Sequence, residues 1–254
     1  MRTPQEPRLR QVSKTNPLYP INKFPPEFVK NLAQHICVRL ATRGDSDLEG
    51  QDWEKIFADC IGAKHTPSNI GLDDITHIAS STAWGAKTVK GKVDTSSIAA
   101  SKKRTVRLIS GRNSTTYSYG EAIDPKKTEP NDVGEMVIGI WNQRVKEVRA
   151  RFENLRTVVL IKDEGLNKLA VFEHETELYI PTSYRWLWNK RNNLEGYDEH
   201  ECHRFTWQPH GSQFTIVEEI PEDTLRIQIK TPTTISKKRI LEEIGFDNDF
   251  YETI

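Results

Sequence analysis

The sequence predicts a mixed α/β protein packed as a single domain. Three observations lead there. Two amphipathic helical segments come before the first strand-like runs, a long helix with a wide apolar stripe lies mid-chain, and strand-like runs crowd the second half. Residues 1–24, rich in proline and polar groups, are expected to form an arm or strap ahead of a domain spanning 25–254. Within that domain the chemistry-bearing part covers about 50–152, and a β-rich part covers about 153–254.

Pro25-Pro26-Glu27 opens the first helix, because proline fits a first helical turn. Phe28, Val29, Leu32, Ile36 and Leu40 then recur at helical spacing. A second helix is expected from Asp52 to Ile61, with Trp53, Ile56, Phe57 and Cys60 on its apolar face and Gly62 at its end. Short strands are expected at Ile75–Ala79, Ala83–Val89 and Thr105–Ile109, followed by a loop from Gly111 to Gly120. Val133, Met136, Val137, Ile140, Trp141, Val145 and Val148 stripe a long helix from Asp132 to Phe152, with Asp132 as its candidate cap. That helix is a candidate dimer seam or groove-entering element. A hairpin of Thr157–Lys162 and Leu169–His174 follows. Further strands are expected at Glu177–Ile180, Tyr184–Trp188, Arg204–Trp207, Gln213–Val217 and Thr224–Lys230, and a closing helix at Ser236–Ile244.

Composition narrows the function classes. No apolar run approaches the roughly 18 residues of a membrane helix, and the opening residues lack the apolar core of a secretion signal. Three scattered cysteines, Cys37, Cys60 and Cys202, fit reduced thiols in a cytoplasm better than a disulfide frame. His200-Glu201-Cys202-His203 has metal-ligand residue types but no second cluster to complete a tetrahedral set. Lysine and arginine together number 36 and so do the acids, giving zero net charge, yet the distribution is uneven. Between Lys87 and Gly120 stand Lys87, Lys90, Lys92, Lys102, Lys103, Arg104, Arg107 and Arg112 against the single acid Asp94. A neutral protein with one basic segment suits a phosphate-facing surface; a solvated basic loop is the plain alternative.

The residue types best suited to chemistry lie just upstream. Asp74 opens one strand in Gly71-Leu-Asp-Asp-Ile, and Lys87 stands in the next within Trp84-Gly-Ala-Lys-Thr-Val-Lys90. On neighbouring strands they can meet at one end of a sheet, where a carboxylate holds a divalent cation and an ammonium activates water and balances phosphate charge. Glu54, beside Trp53 and Phe57 on the preceding helix, can be aimed at the same strand end. Two carboxylates from separate elements form a hard oxygen site suited to Mg²⁺. A helix-surface acid paired with Lys55 or Lys87 is the other reading of Glu54. Lys90 would face Asp74 only if the strand were offset by one, but Trp84 and Ala86 share its face and read as packing residues.

Glu54 on a helix, Asp74 opening a strand and Lys87 in the following strand resemble the PD-(D/E)xK nuclease superfamily, and in size the type II restriction endonucleases. The resemblance covers about Gln51 to Arg112. It implies a restriction-endonuclease-like mixed central sheet flanked by helices. It also implies Mg²⁺ on Asp74 and Glu54, Lys87 supporting the attacking water, and products with 5′-phosphate and 3′-hydroxyl ends. The sequence departs from the pattern in two places: the acid two residues before the lysine is replaced by Gly85, and no proline precedes the aspartate. Glu135, near the start of the long helix, is the candidate replacement ligand, and Asp73 is another nearby carboxylate.

The expected partner is double-stranded DNA, read by a homodimer whose two-fold symmetry matches symmetric sites. Lys90, Lys102, Lys103, Arg104, Arg107 and Arg112 are candidate DNA contacts, with Arg112-Asn113-Ser114 a candidate base-reading loop. Lys190-Arg191 is a candidate phosphate clamp beside Tyr184, Trp186 and Trp188, aromatics that either stack bases or fill a core. His210 is a turn histidine in this reading. Two alternatives remain beside the restriction enzyme: a non-catalytic nucleic-acid-binding protein and a structure-specific repair nuclease.

Overall fold

The structure is a computed structural model that describes residues 15–43, 48–68, 71–91, 93 and 104–252. Among these, five α-helices and two β-sheets form a mixed α/β architecture.

Helix α1 (Phe28–Arg43) buries Phe28, Leu32, Ile36 and Leu40, the positions that its helical spacing selects. Helix α2 (Gly50–Ile61) starts at a reciprocal cap between Glu49 and Asp52 and stops where Gly62 turns left-handed at φ 67°. Both helices pack on one face of a six-stranded sheet. Its order is β1 (Lys64–His65), β2 (Ile75–His77), β3 (Thr82–Lys90), β5 (Asn154–Lys162), β6 (Lys168–Glu175) and β11 (Leu225–Gln228). Among the described strands only β3 and β5 run parallel, with Lys87 opposite Val159. Trp53, Phe57, Trp84, Ala86, Val158, Leu160 and Val171 form the core under the helices.

The strand expected at Thr105–Ile109 runs on to Arg112 (β4) and stands apart from the sheet of β2 and β3. It instead opens a second sheet of order β4, β10 (Gln213–Glu219), β9 (His203–Gln208), β8 (Leu194–Tyr197) and β7 (Arg185–Trp188). Its burial alternates, with Val106, Leu108 and Ser110 inward, as suits a sheet wet on one side. The β-rich half is not a separate subdomain, since β5, β6 and β11 complete the first sheet.

Helix α4 (Pro130–Arg149) lies between the two sheets. Pro130 occupies its first turn after Glu129, so Asp132 sits inside that turn rather than capping it. Its apolar stripe is already buried against Leu72, Ala83 and Leu155 of the first sheet's layer and Trp186, Phe205 and Phe214 of the second, which rules it out as an apolar dimer seam. Trp186 fits only because its neighbours lack side chains: a Cβ at Gly134 would stand 2.3 Å from its ring, and one at Gly196 2.8 Å. The expected loop after Gly111 contains a short helix, α3 (Thr115–Tyr119), capped by Ser114. The described part of the N-terminal strap lies on the first sheet through Tyr19, which is buried. Helix α5 (Lys237–Glu243) closes the chain. No helix among the described residues is long and apolar enough to cross a membrane.

Candidate active site

The segment 71–74 passes over β3 before turning into β2. Lys87 donates to the Gly71 carbonyl oxygen at 3.5 Å, and a Cβ at Gly85 would stand 3.2 Å from both that oxygen and the Leu72 Cα. Strand alternation puts Gly85 and Lys87 on one face and Trp84, Ala86 and Lys90 on the other. Lys90 is exposed and pairs with Glu164 at 3.0 Å, so Lys87 is the lysine that meets Asp74.

Asp74 is 6% exposed. Its backbone carbonyl accepts from Thr66 N at 2.7 Å, and its Oδ1 accepts from Ser68 N at 3.3 Å. Glu54 reaches the same place from α2, and its Oε2 lies 3.0 Å from Nε2 of His65 on β1. The other oxygens, Oδ2 of Asp74 and Oε1 of Glu54, make no hydrogen bond among the described residues. Asp73 turns away to Arg151 at 2.8 Å, leaving its Oδ1 buried and unbonded.

These groups feel one another. Burial pushes the Asp74 carboxyl above its ordinary range, and the Glu54 charge pushes it further; Lys87 and the Ser68 amide pull it back. Burial lowers the Lys87 ammonium, Asp74 and Glu54 oppose that shift, and Arg144 reinforces it. A lysine depressed in this way gives up its proton more readily than a surface lysine.

Arg144 and His65 are the members that sequence reasoning missed. Arg144 lies on α4 beside Trp141, with its guanidinium 5.9 Å from that ring, and donates to Asn113 Oδ1 at 3.2 Å. Its own pKa is lowered by burial and held up by Asp74. Gly111, at φ 154°, leaves the space that the guanidinium occupies. The available signal was a charged residue inside the apolar stripe of Trp141, Val145 and Val148. His65 carried no comparable signal.

Other expected site residues lie elsewhere. Glu135 is exposed, and its nine-residue separation from Arg144 puts it about 13 Å along the helix and half a turn around it, away from the carboxylates. Asn113 is fully buried: it donates to Val137 O, accepts from Arg144, and its carbonyl accepts from Trp207 Nε1, so no edge remains to read a base. Arg112 is exposed beside it. Arg104 precedes β4, and Arg107 projects outward near His203. Lys92, Lys102 and Lys103 lie outside the described residues. Lys190 and Arg191 are exposed in the β7–β8 turn, remote in the fold from β3. Trp186 is core, and Trp188 is partly buried against the same cluster with its Nε1 donating to Thr128 O, so both serve packing. Around Cys202, Glu201 pairs with Arg185 and His203 bonds Thr206.

No group of three or more histidine, cysteine, aspartate or glutamate side chains among the described residues is arranged to hold a metal. Two hard carboxylate oxygens with unused lone pairs suit Mg²⁺, which keeps several waters and takes few protein ligands. No family model, curated protein or solved structure matches the chain.

Proposed function

We propose that this protein is a Mg²⁺-dependent endonuclease hydrolysing phosphodiester bonds of double-stranded DNA, of the type II restriction class, with a restriction-endonuclease-like central sheet. The observation that carries the reading is the convergence of Asp74, Glu54 and Lys87, from a strand entry, a helix and a second strand, into one electrostatically coupled group.

Asp74 and Glu54 would hold the cation, with His65 orienting Glu54. Bound Mg²⁺ supplies charge neutralisation at the phosphate and acidifies attacking water. Lys87, with its lowered proton affinity, takes or shares the proton of the water that attacks the phosphorus in line. Arg144 adds a second cation beside Lys87, so two cations face the two carboxylates. The cut leaves a 5′-phosphate and a 3′-hydroxyl. Lys90 and Arg112 are exposed and remain candidate DNA contacts, and a homodimer would cut both strands.

The test is digestion of plasmid DNA by purified protein with Mg²⁺, repeated with Lys87→Ala. Discrete fragments with a constant end sequence, lost in the variant, support the reading. Ends of varied sequence at branched or nicked DNA would assign a structure-specific repair nuclease instead.

Gly85 favours a second reading, a nucleic-acid-binding protein without catalysis. The close passage of Gly71 and Leu72 leaves no room there for an acid. Tight DNA binding with no cleavage at any Mg²⁺ concentration would select it.

A further inference from the structure

Helix α5 and the turn after it bury little: Ile240 and Leu241 are half-buried, and the rest of 236–252 is exposed. No residue from 236 to 252 is buried, and the hydrogen bond that ties this arm to the body runs from Ile235 N to Ala41 O at 2.7 Å, just before it. Its shape is nonetheless fixed at both ends. Ser236 Oγ accepts from Arg239 N at the start of α5. At the finish Gly245, at φ 64°, donates to Glu242 O, and Phe246 N donates to Leu241 O, closing the turn that brings an apolar residue back over the helix. Leu241 and Phe246 accordingly line one shallow groove of about 410 Å³ together with Lys237, Lys238 and Glu242.

Two physical facts say that this arm is unfinished alone. Seven residues fall short of the roughly 12–15 that an isolated helix needs, so packing has to stabilise it. Yet Ile244, Phe246, Phe250 and Tyr251 are 52%, 48%, 54% and 63% exposed. The Phe246 and Phe250 rings lie 5.3 Å apart within this exposed apolar set, and exposed apolar clusters of this kind mark interaction sites. The helix charges also oppose its own dipole. Lys237, Lys238 and Arg239 crowd the N-terminal end, while Glu242 and Glu243 stand at the C-terminal end with Asp247 and Asp249 beyond. The internal pairs Lys238–Glu242 at 3.7 Å and Arg239–Glu243 at 4.0 Å run in the weaker orientation.

We infer that residues 236–252 form a self-association arm that pairs antiparallel with the same arm of a second copy of this chain. Antiparallel pairing sets each basic end against the partner's acidic end and opposes the two dipoles. It also lets Ile244, Phe250 and Tyr251 of one copy cover the Leu241–Phe246 groove of the other. A surface carrying both charges at opposite ends is complementary to itself under a two-fold axis, the condition for a closed dimer. The pairing is independent of the nuclease chemistry.

Sedimentation velocity on the full chain tests this through charge exchange. Wild type sediments as a dimer at micromolar concentration. One variant carries Lys237→Glu, Lys238→Glu and Arg239→Glu, and a second carries Glu242→Lys and Glu243→Lys. Each alone is a monomer whose core keeps the wild-type Tm, because the arm contributes no core. An equimolar mixture of the two restores the dimer. Phe250→Asp weakens wild-type association about tenfold or more. A monomeric wild type, a dimer that survives both charge reversals, or a mixture that stays monomeric overturns the inference. If the wild type is a monomer and the first variant alone loses DNA affinity, the arm is a nucleic-acid contact instead.

Discussion

Removing the carboxylate of Glu173 should unfasten the N-terminal strap and cost more stability than any surface change. Glu173 and Arg156 are paired at 3.2 Å with side chains 0% and 5% exposed. The same carboxylate accepts from Tyr19 Oη at 2.8 Å and Trp84 Nε1 at 2.7 Å, and the Glu173 amide donates to Asn22 Oδ1 at 2.6 Å. Arg156 in turn donates to the Tyr19 carbonyl at 2.8 Å. One buried anion therefore joins β3, β5, β6 and the strap. Glu173→Ala leaves a guanidinium buried without its counter-charge and two donors without an acceptor.

Breaking one partner of a buried ion pair costs about 3–5 kcal/mol. In a domain of this size each kcal/mol lowers Tm by about 2–4 °C, so a fall of roughly 6–20 °C is expected. Glu173→Gln keeps an acceptor for Tyr19 and Trp84 while losing the charge, and should fall between the variant and wild type. Urea denaturation should show a lower midpoint with an unchanged slope, and limited proteolysis should cut the strap of Glu173→Ala first. A Glu173→Ala protein within 1 kcal/mol of wild type would refute the network as a fastening.

Gly134→Ala drives a methyl to 2.3 Å from the Trp186 ring and should destabilise by about 3 kcal/mol or more, read by thermal unfolding. Gly85→Asp, which restores the acid of the nuclease pattern, should not create or improve cleavage. Its Cβ meets backbone at 3.2 Å and should cost about 1–3 kcal/mol, so a more active enzyme of undiminished Tm refutes that packing. Asp74→Asn should raise the Tm of metal-free protein at pH 7. The folded pKa of Asp74 is raised, so its contribution is full below the usual carboxylate range and lost as pH rises through the folded value; the variant's advantage should vanish in acid. Lys87 has the opposite shift: its contribution is full above the ordinary lysine pKa and lost as pH falls through the lowered value, so Lys87→Met should also raise Tm at neutral pH. Mg²⁺ at a hundred times its Kd should stabilise wild type by about 2.7 kcal/mol and leave Asp74→Asn unmoved; equal shifts in both would place the cation elsewhere.

What the sequence made legible followed periodicity. The alternation Trp84, Gly85, Ala86, Lys87 separates a core face from a polar one, and it correctly sets Lys87 apart from Lys90. The α4 stripe and the Gly62 stop were equally plain. Sheet membership was not legible, because pairing is a non-local choice. Even so, β4 alternates exposed and buried residues, whereas β5 is buried on both faces, a distinction that could have separated the two sheets. The strand β8 went unseen because Gly196 reads as a breaker, while its missing side chain makes room for Trp186. Residues 177–180 look like a strand in sequence but join no sheet, and side chains of α4 satisfy them instead: Trp141 Nε1 donates to Glu177 O, and Asn142 brackets Tyr179. Asn113 misled for a related reason, since a polar residue in a loop suggests an outward role and this one closes a buried network.

The two clusters of buried charge differ in a way that bears on function. Around Glu173, each charge has an opposite charge and hydrogen-bond partners, and the result is a fastening. Around Asp74, the Glu54 charge adds to burial in opposing ionisation of Asp74, Lys87 is desolvated beside Arg144, and among the described residues a carboxylate oxygen on each acid is left unused. A fold gains nothing from holding like charges together in a desolvated place; a bound cation and a phosphate would relieve both repulsions at once. Burial raises the Glu173 carboxyl as it raises that of Asp74, so the two signs, loss of stability at Glu173 and gain at Asp74, differ through the partners left behind. Truncating Glu173 strands the Arg156 guanidinium and the Tyr19 and Trp84 donors, whereas Asp74→Asn relieves the Glu54 repulsion and keeps an acceptor for the Ser68 amide. That sign difference distinguishes a structural ion network from a site kept under electrostatic stress for a ligand.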